Sequence, residues 1–344
     1  MKASYSKYIL NFKESSGTSR GILRQKETWF LTLEEGERWG IGECGLLKGL
    51  SCDDLPDYED QLKWVCEHIH LGKEVLYKEM RAFPSIQMGI ETAFISLISE
   101  DPFILFPSKF TESEDTLPIN GLIWMGNQSF MMDQLEQKLA AGFKCIKMKV
   151  GAIDFKKELA VLKSIRQRFS KNEIKLRVDA NGAFTPKEAL TRLEDLAAFE
   201  IHSIEQPIKP GKWKAMAFLC KNSPIPIALD EELIGVFDSD KKKSLLDSIK
   251  PQFIILKPSF IGGFEGSQEW INLAQKQNVG WWITSALESN VGLNAISQWT
   301  YTLNPNGPQG LGTGSLFTNN VDSPLEVKNG FIGYNNSKIW SKIN

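Results

Sequence analysis

From about residue 118 the chain alternates short runs rich in branched residues with amphipathic segments, and this beat limits its fold more than any other feature. Eight runs read as strands: "INGLIWM", "CIKMKVG", "KLRVDAN", "SIEQP", "PIALDEE", "FIILKPS", "GWWITSALE" and "QGLGTG". Between them lie helical segments such as "DFKKELAVLKSIRQRF" and "TPKEALTRLEDLAAF", the second opened by Thr185, Pro186 and Glu188 as N-cap, N1 proline and capping-box acid. Such a beat implies parallel strands joined by crossovers, either an open doubly wound sheet or a closed barrel. Neither GxGxxG nor GxxxxGK[ST] follows any strand, so a (β/α)8-type barrel of the TIM class is the better reading.

Residues 1–117 have a different pattern. Strand-like "SKYILNFK" and "RGILRQKETWFLTLEEGERWGIGECG" precede helical "LPDYEDQLKWVCEHI" and "SIQMGIETAFISLIS", which together describe an α+β domain ahead of a barrel spanning 118–315. The segment from about 316 to 344 carries strand-like pieces around Asn329-Gly330 and is expected to return to that first domain. "SSGTSRG" at 15–21 reads equally as a lid or as an ordinary hairpin loop.

Within "KCIKMKVG", alternation puts Cys145, Lys147 and Lys149 on one face and Ile146, Met148 and Val150 on the other. If helices cover the apolar face, both lysines point into the barrel, where they need partners. The strand ends supply them: Asp179, Glu205, Asp230 and then Lys257 follow Lys149 at spacings of 30, 26, 25 and 27 residues, one βα unit each. In this fold the C-terminal mouth is where catalytic groups gather. Three carboxylates from adjacent strands suit a hard divalent cation, magnesium best. Lys257 lies four strands from the lysine pair, across a ring of eight. A carboxylate substrate between opposed ammonium groups and a cation is set up for removal of its α-proton, because the enediolate that forms carries two negative charges. Lys147 and the cation would disfavour the charge on Lys149 and so favour its free amine as a base. Structural ion pairing of the lysines with the acids is the plainer alternative.

Other classes are disfavoured. Lys plus Arg total 40 against 42 Asp plus Glu, a formal net charge of −2, and no basic run marks a nucleic-acid partner. The most apolar stretch, "FISLISEDPFILF", is broken by Glu100, Asp101 and Pro102, so no membrane insertion is expected; the N-terminus shows no secretory pattern, and a cytoplasmic location follows. Five cysteines without CxxC spacing argue against a disulfide framework or structural zinc. His68, His70 and His202 fall at no strand end, which disfavours a histidine base.

"KMKVG", "RVDANGAF", "IEQP", "ALDEE" and "ILKPSFIGG" resemble the enolase superfamily, in its KxK, muconate-lactonizing-enzyme-like subgroup, and "WGIGECGLLKGLS" resembles that subgroup's capping-domain loop. The resemblance implies a modified barrel with an N-terminal α+β capping domain, a small carboxylate substrate, and magnesium, with manganese as a possible substitute. It also implies Lys149 as base, Lys257 as stabiliser on the opposite face, Lys147 as support for Lys149, and Asp179, Glu205 and Asp230 as metal ligands. Asn181 and Glu231 become neighbours of the ligands, with an Asn-Gly turn and a solvated acid as equal alternatives. Ser285, Glu288, Ser289, Gly312, Thr313 and Gly314 become substrate contacts or partners behind them, with helix capping and chain turning as their plainer roles. "INGLIWMG", "SALESNVGLNAISQW" and "GLGTGSLF" resemble the branch that eliminates water from a cyclic diene carboxylate. N-succinylamino acid racemases and dipeptide epimerases are the alternative, although "GLGTGSLF" lacks the Asp-x-Asp of the latter. A muconate cycloisomerase-like activity and a non-catalytic scaffold are weaker readings.

Overall fold

The computed structural model describes residues 1–18, 21–151 and 153–343. Three antiparallel strands open the chain: β1 (Lys2–Thr18), β2 (Gly21–Glu35) and β3 (Arg38–Cys44), in the order β1-β2-β3. The tip of the first hairpin, and with it the reading of 15–21 as a lid or plain loop, lies outside the described residues. Helices α1 (Tyr58–Glu67), α2 (Lys73–Glu79) and α3 (Pro84–Ile98) follow. The glycines of "WGIGECG" let α3 sit directly on β3, since a Cβ at Gly42 would stand 2.0 Å from the Gly89 carbonyl oxygen. Trp29, Leu31, Leu33, Leu62, Ile86 and Ile90 form the core of this layer.

A short strand, β4 (Leu117–Pro118), leads into the barrel. Its units are β5 (Gly121–Ile123) with α4 (Gln128–Ala140), β6 (Cys145–Lys149) with α5 (Phe155–Arg168), and β7 (Lys175–Asp179) with α6 (Ala189–Ala197). They continue as β8 (Ser203–Glu205) with α7 (Trp213–Asn222) and β9 (Ile227–Leu229) with α8 (Ser239–Ile249). Next come β10 (Phe253–Leu256) with α9 (Pro258–Ile261) and α10 (Gly263–Lys276), then β11 (Gly280–Ile283) with α11 (Asn290–Thr302). The parallel sheet runs in sequence order from β5 to β11.

The eighth strand read from "QGLGTG" is reduced to Gln309 and Gly310. These two residues bridge Ile119 on one side and Thr284 on the other, and so close the ring. Four backbone bonds of 2.8–3.1 Å tie Gln309 and Gly310 to Pro118, Asn120, Ile283 and Ser285. The closure is tight: a Cβ on Gly310 would lie 1.9 Å from Thr284 Oγ1. Beyond it the chain turns into a 3-10 segment at Gly314–Leu316. Seven strand-helix units and a bare eighth strand therefore make a modified (β/α)8-type barrel.

Alternation decides which way each strand faces. Ile146, Met148 and Val150 of the β6 region belong to the same buried core as Val161, Leu162 and Ile165 of α5, while Lys147 and Lys149 face the lumen with the cavity they line. The reciprocal Thr185–Glu188 capping bonds form at 3.2 and 3.4 Å, but regular helix starts only at Ala189, a shift of the kind expected at helix ends. The C-terminal hairpin, β12 (Leu325–Lys328) and β13 (Phe331–Tyr334), turns at Asn329 and Gly330, both at positive φ, and pairs with β4. Phe317 bridges to Phe12 of β1, and Tyr8 donates to the Asn319 carbonyl at 2.5 Å.

One contact locks the first layer to the barrel. Glu91 of α3 accepts from Phe264 N at 2.6 Å and Glu265 N at 3.0 Å, both in the first turn of α10. Gly262 and Gly263 make room for it at φ 94° and 65°, and a Cβ on Gly263 would lie 1.9 Å from Glu91 Oε2. Gly263→Ala therefore combines left-handed strain with displacement of a buried acceptor, a cost of about 3 kcal/mol. Denaturant unfolding measures it, and a loss under about 1 kcal/mol would remove this contact as a lock.

Candidate active site

Backbone register brings the predicted residues together. Lys149 lies beside Asp179 and Asp179 beside Glu205 on one rung across β6, β7 and β8. Asp230 and Lys257 follow the last residues of β9 and β10 at the same mouth. Gln206, at φ 39°, joins these strand ends by accepting from Asp230 N at 3.1 Å and donating to Glu232 Oε2 at 3.0 Å.

The lysines lie on the carboxylates. Lys147 Nζ donates to Asp179 Oδ2 at 3.1 Å and to Glu205 Oε2 at 2.7 Å. Lys149 Nζ donates to Asp179 Oδ2 at 2.9 Å and to Asn181 Oδ1 at 2.5 Å, and sits 5.9 Å from the centre of the Trp124 ring. Lys257 pairs with Asp230. Asn181, at φ 44°, donates from Nδ2 to Glu231 Oε1 at 3.0 Å and so links the base end of the cluster to the residue after Asp230.

The electrostatics follow from burial and proximity. Burial alone would lower the pKa of Lys147, but Asp179 and Glu205 hold its ammonium well above the ordinary lysine value. Burial likewise opposes the charge on Lys257, and Asp230 with Glu205 reverses the effect. The Asp179 carboxyl, which burial would push up, is held well below the usual range by Lys147 and Lys149. Glu205 goes the other way, pushed up to about 8 by burial and by the Asp179 charge. Three carboxylates this close demand positive charge.

The donor set fits a hard divalent cation. It consists of oxygen ligands from three adjacent strands, and Glu205 Oε1 is buried without a hydrogen-bond partner. As the side chains stand, no three Asp, Glu, His or Cys residues among the described ones surround a single point closely enough to hold an ion, because ammonium groups lie against the carboxylates.

Above the cluster is a cavity of about 310 Å³. Lys147, Lys149, Asp179, Asn181 and Lys257 form its charged floor, and Trp124, Phe130, Phe260, Leu287 and Leu316 form apolar walls. Leu47 and Leu50 reach in from the segment after β3, and Lys13, Glu14 and Leu23 from the first hairpin. Ser285 and Thr313 share a 2.6 Å hydrogen bond at the rim, beside Gly312. The cavity suits a small acid with an apolar body, with charge at one end and apolar surface around the rest.

Glu288 and Ser289 do not line the cavity and stand behind it. Glu288 is fully buried behind the wall, where it accepts from Ser259 Oγ at 2.6 Å and Ala286 N at 2.7 Å. Ser289 caps α11, accepting from Val291 N at 3.1 Å, and donates to Glu43 at 2.5 Å. His202 precedes β8 at the far end of the barrel, 5.2 Å from the Phe253 ring, and burial with Arg177 and Lys175 nearby lowers its pKa to about 4. Trp124, Phe260, Leu47 and Leu50 lie within the stretches that carry the family resemblance, but no spacing or residue type singles them out there as lining a site.

Residues 131–336 match the family described as enolase C-terminal domain-like. The chain belongs to the enolase superfamily. It is 44% identical to the o-succinylbenzoate synthase of Desulfotalea psychrophila, over 97% of this chain and 99% of that one. The crystal structure of MenC from the same organism superposes with a TM-score of 0.86 at 42% identity, covering 97% and 99% of the two chains. A dipeptide epimerase from Enterococcus faecalis, solved with Mg and the dipeptide L-Leu-L-Tyr, shares the fold at a TM-score of 0.83 and 19% identity, covering 97% and 96%. No helix among the described residues is long and apolar enough to cross a membrane.

Proposed function

We propose that the protein is an o-succinylbenzoate synthase, a hydro-lyase that converts 2-succinyl-6-hydroxy-2,4-cyclohexadiene-1-carboxylate to 2-succinylbenzoate by syn elimination of water, a step of menaquinone biosynthesis. The observation that carries this reading is the 44% identity to a synthase of that name along nearly the whole chain. The opposed lysines and amphipathic cavity support it.

In this reading Lys149 removes the proton α to the ring carboxylate as a free amine, and returns it to the departing hydroxyl on the same face. That single-residue shuttle accounts for syn geometry. Asn181 orients Lys149 through its 2.5 Å contact. Lys147 keeps positive charge beneath the developing enediolate, and Lys257 supplies it from the opposite face. Asp179, Glu205 and Asp230 would hold magnesium, which supplies further positive charge to the enediolate oxygens when bound. The apolar walls keep water from the intermediate. Ser285 Oγ, Thr313 Oγ1 and the Gly312 backbone, which line the cavity, would bind a polar group of the substrate.

N-acylamino acid racemisation is the second reading, favoured by the presence of a lysine on each face of the cavity. The two are separated by supplying the cyclohexadiene carboxylate with magnesium, beside N-succinylamino acids followed by deuterium exchange at the α-carbon. Fast dehydration with slow exchange is expected, and the opposite ranking would move the assignment to a racemase. Chelation should abolish turnover. Calorimetry gives a readout of the metal site independent of turnover: magnesium binding should be lost in Asp179→Ala and Glu205→Ala, and unchanged binding in either would remove that residue from the ligand set.

A further inference from the structure

A second group of charges is sealed where the N-terminal sheet meets the barrel. Lys26 of β2 and Glu43 of β3 have side chains 1% and 0% exposed, and Glu288 beside them is fully buried. Lys26 Nζ stands 3.9 Å from Glu43 Oε1, beyond hydrogen-bond range, and makes no hydrogen bond. An ammonium buried in this way is costly unless charge is required there.

The carboxylates require it. Glu43 accepts one hydrogen bond within its own sheet, from Thr28 Oγ1 at 2.8 Å on Oε1, and three across the interface: Ser289 N at 2.9 Å on Oε1, Ser289 Oγ at 2.5 Å and Gly292 N at 2.9 Å on Oε2. Glu288 accepts from Ser259 Oγ at 2.6 Å and Ala286 N at 2.7 Å. Ionised carboxylates are the strongest acceptors for such bonds, yet two of them packed together repel. Burial lowers the pKa of Lys26 and raises that of Glu288, and Lys26 is the basic group that faces both carboxylates, each of which opposes the effect of burial on it. Gly45 closes the group, and a Cβ there would lie 3.1 Å from Glu288 Cγ, 3.3 Å from Ser259 Oγ and 3.5 Å from Lys26 Nζ.

Ser259 is two residues beyond Lys257, and Ala286 follows Ser285. Glu288 therefore ties the loop carrying the opposite-face lysine to the loop carrying a rim hydroxyl. We propose that Lys26 is a positioning residue of the N-terminal domain, which holds Glu43 and Glu288 side by side and thereby fixes the two barrel loops that present Lys257 and Ser285. The consequence for turnover rests on the synthase reading; the consequence for loop order does not.

The test uses the full chain as wild type, Lys26→Met, Glu288→Gln and the double variant. Backbone deuterium uptake is followed in peptides covering residues 284–292, together with kcat and KM. Lys26→Met leaves two carboxylates without the basic group that faces them, so these amides should exchange faster and kcat should fall about tenfold or more with KM within about threefold. In the double variant a glutamine amide at position 288 can accept from Ala286 N and donate to Ser259 Oγ without a counter-charge. Exchange and kcat should then recover most of the way. Wild-type exchange and kcat in Lys26→Met, or losses that simply add in the double variant, would overturn the proposal. If Lys26→Met does not fold, the double variant decides: recovery of fold and protection supports the proposal and equal failure rejects it. A wild type that does not dehydrate the cyclohexadiene acid rejects the synthase reading alone, and deuterium uptake still decides the role of Lys26.

Discussion

Lys149→Ala is expected to lower kcat by about 10⁴-fold or more while leaving the protein folded. The size follows from the role: a positioned general base alone contributes up to about 10⁴-fold, and Lys149 serves twice, taking the α-proton and protonating the leaving hydroxyl. Stability should suffer less, because Asp179 keeps its 3.1 Å pair with Lys147 when Lys149 is removed. Steady-state turnover measured beside thermal unfolding separates the two effects. A Lys149→Ala protein that retains dehydration within about tenfold of wild type would show that another group takes the proton. Since Lys147 is held strongly protonated between two carboxylates, it is poorly suited to take over.

The charged cluster could be read from the sequence because a barrel repeats its register. Each βα unit returns the chain to the same mouth, so Lys149, Asp179, Glu205, Asp230 and Lys257 needed only their spacing to be brought together. Their ion pairing was less legible. Which ammonium lies on which carboxylate depends on side-chain geometry that spacing does not specify, and the structure pairs Lys147 with two acids at once. The closing strand is shorter than "QGLGTG" suggests, since only Gln309 and Gly310 form bridges and a 3-10 segment begins at Gly314. Lys26 and Glu43 left no trace as a buried group: in a hairpin with charges along it, they look like solvated positions. Their partner Glu288 is about 245 residues further along, so only the folded chain unites them. The same limit applies to the cavity walls, since Leu47 and Phe260 come from different domains and follow no shared period.

Lys257→Arg separates the two chemistries this scaffold supports. Elimination asks only for positive charge on the face away from Lys149, and a guanidinium keeps that charge at any working pH. Racemisation asks the same position to give or take a proton, which a guanidinium with a pKa above 12 does poorly. Lys257 is paired with Asp230 and lies within a buried cluster, so the larger head group will also shift the loop and lower dehydration, by about 10- to 100-fold. Any exchange that protonates an N-succinylamino acid from that face should fall by at least a further 10²-fold. Dehydration of the cyclohexadiene carboxylate and deuterium incorporation into each enantiomer of an N-succinylamino acid, measured on one preparation, give the ratio directly. Equal loss of both activities would mean that Lys257 transfers a proton in the elimination too, and the division between a base on one face and a fixed cation on the other would have to be abandoned.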